Sequence, residues 1–167
     1  MKMERQHNPE LEKVAELVEE IKFAMMTTLE DDGSLHSRPM STVQMDADGN
    51  LWFFTSVNSA KVEDAEKHRQ VNVSYARIDK QDYLSICGTS RVVRDREKMK
   101  QLWTPWVKAW FPDGVDDPNL ALLCITIRDA QYWDAPGNVV MRMFGLAKAI
   151  TTGNHDALGE NRKVQVR

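Results

Sequence analysis

Between Phe23 and Ser56 three short runs alternate side chain by side chain, separated by connections that contain glycine. In Phe23 to Leu29, alternation puts Phe23, Met25, Thr27 and Leu29 on one face. Glu30-Asp31-Asp32-Gly33 then reads as a hairpin connection, and Leu35 to Gln44 as the second strand. Pro39 inside that strand has no N–H to give to a ladder, so it marks an edge or a bulge. Met45 to Asn50 is the next turn, and Leu51 to Ser56 the third strand. Strands joined this closely are antiparallel, because a parallel pair needs a long crossover. A meander is therefore fixed before any other element is placed.

The rest of the chain fits around it. Asn8, Pro9 and the apolar spacing of Leu11, Val14, Leu17, Val18 and Ile21 predict an N-terminal helix over about 9–21. Asn58 and Ser59 are candidate caps for a helix over Ala60 to Arg69. Val71 to Tyr75 and Tyr83 to Val93 read as strands, the second with a bend at Gly88. Asp95 caps a helix toward Leu102, and Thr104-Pro105 restarts one. That restart would put Trp103, Trp106 and Trp110 on one side, either as packing or as an aromatic wall beside a planar ligand. Leu120 to Ile127 reads as a central strand, continued after a break by Gln131 to Asp134. Val139 to Ile150 has helical spacing, and a polar tail over about 151–167 holds a short strand at Val164 to Val166. With 167 residues the chain forms one domain. The predicted class is mainly β with flanking helices, closed as an antiparallel barrel.

Composition narrows the function. A net charge of -3 with interspersed signs does not supply the basic face that nucleic acid requires. No apolar run approaches the roughly 20 residues that span a bilayer. The opening Met1 to Lys13 lacks a signal-peptide core, which places the protein in the cytoplasm. Cys87 and Cys124, the only cysteines, are expected as buried reduced thiols. His7, His36, His68 and His155 stand apart, with no second ligand at metal spacing. No nucleophile elbow or glycine-rich phosphate loop occurs.

What remains is a set of anion-binding groups. Phe54, Thr55 and Ser56 end a strand, and Ser59 and Lys61 open a helix, whose first N–H groups and dipole favour a phosphate. Lys61 at that end opposes the dipole unless an anion binds there; a solvated lysine at an ordinary strand–helix junction is the alternative. Arg38, in mid-strand, needs a partner or water, and adjacent strands can bring it to the Lys61 turn.

His36-Ser37-Arg38-Pro39-Met40, then Phe53 to Lys61, then Gln131 to Gly137 together resemble the FMN-binding split barrels related to pyridoxamine 5'-phosphate oxidase, nearest to the bacterial general stress proteins. The resemblance covers roughly residues 10 to 150. It implies a six-stranded split β-barrel that forms a homodimer with FMN at the subunit interface. By that resemblance Arg38, Ser59 and Lys61 hold the FMN phosphate, and Pro39, Met40, Ser41, Thr42 and Val43 line the ring. Thr55 supplies a hydroxyl beside Phe54 and Ser56, and Trp133 approaches the flavin from the partner subunit. The family's flavin-contacting glutamine matches either Gln81 or Tyr83. Two departures stand out. Ala60 replaces an arginine, and Asp134 to Asn138 replaces the Arg-Leu-His-Asp-Arg segment that anchors substrate phosphate. Oxidation of pyridoxamine phosphate is therefore not expected. The implied function is a flavin-dependent oxidoreductase acting on a small molecule; a non-catalytic flavin carrier or sensor is the alternative. FAD in place of FMN, and haem or a deazaflavin in the same barrel, remain further alternatives.

Overall fold

The computed structural model describes residues 1–134 and 160–166. Strand β1 (Lys2–Met3) is followed by a 3-10 turn, Pro9–Leu11, and by helix α1 (Glu12–Ile21). The Asn8 side chain caps that turn by accepting the Glu10 N–H at 3.0 Å. Next come β2 (Phe23–Leu29), β3 (Leu35–Met45), β4 (Asn50–Ser56) and helix α2 (Ala60–Lys67). Strands β5 (Gln70–Arg77) and β6 (Asp82–Val93), helix α3 (Arg96–Leu102), β7 (Leu120–Asp134) and β8 (Glu160–Gln165) complete the order.

The expected hairpins β2–β3 and β3–β4 form, and β3 then lies between its two neighbours. Strand β2 also pairs with β5, β5 with β6, β6 with β7, and β7 with β4, all antiparallel. The ring closes on itself as the six-stranded barrel that the sequence implied. Its interior is filled by the inward set, including Met26, Phe53, Val73, Tyr75, Leu84, Ile86, Leu123 and Ile125. Helix α1 covers this core with Val14, Leu17 and Val18.

Local devices set the curvature. Thr42 pairs with Phe53 and Gln44 with Trp52, so Val43 is an extra residue in β3. A second register shift falls between Cys87 and Gly88, at the predicted bend. A Cβ on Gly88 would stand 2.6 Å from Ile125 Cγ2 and 2.7 Å from the Thr126 carbonyl oxygen, so only glycine lets β6 approach β7 there. Residues 35–41 of β3 pair with β2 alone, which puts Pro39 on an edge, where its missing N–H costs nothing.

A second apolar cluster lies outside the barrel wall. Trp52, Leu122 and Cys124 present their outer sides to Met99 and Leu102 of α3, with Trp103, Phe111 and Val115 packed at the margin. This is where the fold departs most from expectation. The segment after Leu102 does not restart an α-helix; it holds one 3-10 turn, Val107–Ala109, and another at Gly114–Asp116. Prolines at 105, 112 and 118 leave too few residues for a cooperative helix. The three tryptophans consequently separate. Trp103 packs edge-on to Phe54, with ring centroids 5.7 Å apart, whereas Trp106 and Trp110 pair with each other at 5.3 Å.

Smaller corrections follow the same logic. Strand β7 continues through Arg128, the extra residue at the β6–β7 register shift, and β6 and β8 both pair with Asp129 and Ala130 beyond it. The last strand starts at Glu160, earlier than the predicted Val164, and β1 adds a short parallel pairing to β3. Cys87 is exposed, since it faces outward on β6; Cys124 is buried as expected. The helical spacing over 139–150 lies outside the described residues. Among the described residues no helix is long and apolar enough to cross a membrane.

Candidate functional site

Helix α2 sits over one mouth of the barrel, burying Val62 and Ala65. Ser90 of β6 fixes it: its N–H donates to the Arg69 carbonyl at 2.7 Å, and its hydroxyl lies 3.1 Å from the Ala65 carbonyl as well as from that of Arg69, sharing one proton between them. Ser59 occupies the N-cap position with extended backbone, but its side chain does not cap. It turns back instead and donates to the Ser56 carbonyl at 2.7 Å, with Thr55 Oγ1 3.5 Å away. The Ser59 carbonyl accepts the Val62 N–H at 2.8 Å and the Glu63 N–H at 3.4 Å, so the donors this turn can offer an anion are the Ala60 and Lys61 N–H groups, at the positive end of the helix dipole. Asn58, the other predicted cap, donates to Asn119 Oδ1 at 2.7 Å and ties this turn to the start of β7.

Two cations meet at this turn. Arg38 points to the inward side of β3, at the barrel mouth, where its side chain is only 16% exposed. Both its terminal nitrogens lie 3.4 Å from Asp64 Oδ2 of α2, and Glu30 stands 3.9 Å away. Asp64 also accepts from the Thr28 hydroxyl at 3.3 Å, so the guanidinium is held from below. Lys61, in the first turn of α2, is partly buried, and among the described residues it forms no ion pair. Its ammonium pKa is pushed below the ordinary lysine value, first by burial and then by repulsion from Arg38. A desolvated ammonium beside a guanidinium is an arrangement that an anion would relieve.

From Lys61 a cavity of about 540 Å³ runs along the outside of the barrel wall. Pro39, Ser41 and Val43 of β3 and Phe54 and Ser56 of β4 form its floor, the outward positions that strand alternation dictates. Met40 and Thr55 also reach it, and Phe23 stands at its edge. Trp106, Val107, Trp110 and Phe111 form the opposite wall, and Asp117 and Asn119 lie near the start of β7.

The structure thus gathers Pro39, Met40, Ser41, Val43, Phe54, Thr55, Ser56 and Lys61 around one cavity. Arg38 and Ser59 stand at its cationic end rather than on the lining. Thr42 points away: its side chain is inside the barrel, where its hydroxyl and that of Tyr75 are 2.8 Å apart. Burial pushes the Tyr75 phenol pKa up despite that bond. Trp133 lies far along β7, paired with Tyr83, and does not line the cavity of its own chain. Gln81, in a turn with φ of 60°, and Tyr83 are likewise outside that lining. Asp64 and Asn119 were not foreseen, since an acidic helix residue and a loop asparagine carry no local signal of their role.

Comparison with known proteins bears on the same stretch. The family profile described as pyridoxamine 5'-phosphate oxidase like matches residues 9–156. Protein bli-3 of Neurospora crassa is 29% identical over 153 residues, covering 86% of this chain and 73% of that protein. The solved structure of a general stress FMN/FAD binding protein from Xanthomonas citri superposes with a TM-score of 0.65 at 31% identity, covering 76% of this chain and 89% of that one. A general stress protein 26 homologue from Jannaschia sp. CCS1 shares the fold, with a TM-score of 0.72 at 24% identity over 90% of this chain and 94% of that one. The match runs from α1 through the whole barrel, and the chain belongs to the pyridoxamine 5'-phosphate oxidase-like family.

Proposed function

We propose that this chain binds FMN as a homodimer and serves as a flavin-dependent oxidoreductase for a small molecule. The observation that carries the reading is Lys61: a partly buried ammonium, unpaired among the described residues, set against Arg38. A terminal phosphate would accept from both cations and from the first turn of α2. Pro39, Ser41, Val43 and Phe54 would then lie against the flavin ring system. FMN/FAD binding by the Xanthomonas citri relative supports a flavin here too. Release of FAD instead of FMN is an outcome of the same test.

When bound, the flavin supplies reversible electron and hydride transfer. The chain's own residues do the rest. Arg38, held by Asp64 and Glu30, and Lys61 would hold the flavin phosphate. Phe54, packed edge-on against Trp103, and Val43 would shield a bound flavin from water. Trp133 is proposed to complete the site of the partner subunit. The outer wall of β2, β6 and β7 exposes Phe23, Met25, Tyr83 and Trp133, an apolar face suited to a second copy of the chain.

The test is to purify the protein, identify the pigment released on heating and titrate the flavin-free chain with FMN by calorimetry. Rapid reduction of the bound flavin by NADH or NADPH, followed by steady turnover with an acceptor, supports the oxidoreductase. Flavin bound at stoichiometry but reduced by no donor favours the carrier reading. A chain that takes up no flavin, or a flavin-loaded monomer in sedimentation, overturns the respective half of the proposal.

A further inference from the structure

We infer that the wall made by Trp106 and Trp110 is a second binding position, for a planar aromatic molecule that carries no anionic group. The inference rests on the flavin reading, because the cations at the far end of the cavity are then occupied. Trp106 is 59% exposed and Trp110 61% exposed, yet both line the cavity beside the β3–β4 floor. Their rings meet at 61° with centroids 5.3 Å apart, leaving an open edge-and-face pair. Neither ring belongs to the outer apolar cluster, which uses Trp103, Phe111 and Val115 instead. Two adjacent indoles left in water forgo a large apolar burial, and a flat ligand would recover it.

Charge selects the class of ligand. Arg38 is engaged by Asp64, and Lys61 sits at the α2 end of the cavity. On the lining shared with the tryptophans the acidic side chain is Asp117, whose carboxylate accepts the Asn119 N–H at 2.8 Å and is thereby fixed in place. With the flavin phosphate on Lys61 and Arg38, an anionic group on the stacked molecule would face that carboxylate. A neutral ring system has no such penalty.

The test uses the flavin-loaded protein, the neutral naphthoquinone menadione, and its sulfonated anionic analogue. Binding is read by calorimetry and by quenching of tryptophan fluorescence. Menadione is expected to bind, and Trp106→Ala and Trp110→Ala each to weaken it about tenfold, with partial recovery in the Trp→Phe variants. The sulfonated analogue is expected to bind more weakly, and Asp117→Asn to narrow the gap. Flavin affinity of the same variants is measured separately, so that an effect on the flavin is told apart from an effect on the aromatic position. Unchanged menadione binding in both alanine variants overturns the inference, as does equal binding of the anionic analogue. Parallel loss of flavin affinity also overturns it, by placing the indoles on the flavin itself. If the parent chain takes up no FMN, the flavin reading has failed separately. The menadione titration on the flavin-free chain then decides the aromatic position by the same criteria.

Discussion

Replacing Lys61 with methionine should have two effects of opposite sign. The substitution keeps most of the unbranched stem and removes the ammonium, so packing around α2 is preserved. In the free protein that ammonium is disfavoured by burial and by Arg38, which is why its pKa is lowered. Removing it should therefore leave the flavin-free chain at least as resistant to heat as the parent. FMN binding should move the other way. A hydrogen bond to a charged group contributes about 1.5–3 kcal/mol, a loss of about 10- to 150-fold in affinity. At a ligand concentration of about 100 times the parent Kd, binding stabilises the parent by about 2.7 kcal/mol. A variant with hundredfold weaker binding keeps only about 0.4 kcal/mol of that. For a chain of this length each kcal/mol corresponds to about 2–4 °C in Tm, so the FMN-induced shift should fall from about 5–11 °C to about 1–2 °C. Thermal unfolding with and without FMN, read together with calorimetry, measures both arms. A Lys61→Met protein with undiminished FMN affinity, or a flavin-free form that melts well below the parent, refutes the assignment of Lys61 as a cation waiting for an anion.

The same lysine gives a pH dependence. Its free-state pKa lies below 10.5 and a bound phosphate would raise it, so affinity is full below the free-state pKa. It should fall as pH rises from there through the bound-state value; flat affinity across alkaline pH up to the limit of folding would contradict this. Gly88→Ala should destabilise the fold by about 1–3 kcal/mol in urea, because the added methyl overlaps Ile125 and the Thr126 carbonyl. A neutral result would mean that the β6–β7 contact relaxes freely. Tyr75→Phe should cost about 1–3 kcal/mol by leaving the buried Thr42 hydroxyl without its partner, with FMN affinity unaffected. Loss of flavin in a well-folded Tyr75→Phe protein would instead bring Thr42 into the site.

Local sequence determined the elements. Alternation along Phe23–Leu29 and Leu35–Gln44, the glycine-containing turns, and the Asn8 cap are short-range effects, and each appears where expected. The sequence also raised the expectation of an anion site, from an arginine amid strand residues and a lysine at a helix start; the structure gives that arginine Asp64 and Glu30 as partners. Tertiary structure decided the remainder, since it depends on contacts between residues distant in sequence. Pairing of β2 with β5 and of β4 with β7 closes the barrel, and no local pattern names those partners. Asp64 becomes the support of Arg38 only when α2 folds over the barrel mouth, 26 residues further along the chain. Spacing alone puts the three tryptophans on one helical stripe. Helix spacing groups residues only if a helix forms, and the prolines around them prevent it. What freed Trp106 and Trp110 to face the cavity was thus the failure of a local rule, visible only once the barrel wall on the other side was in place.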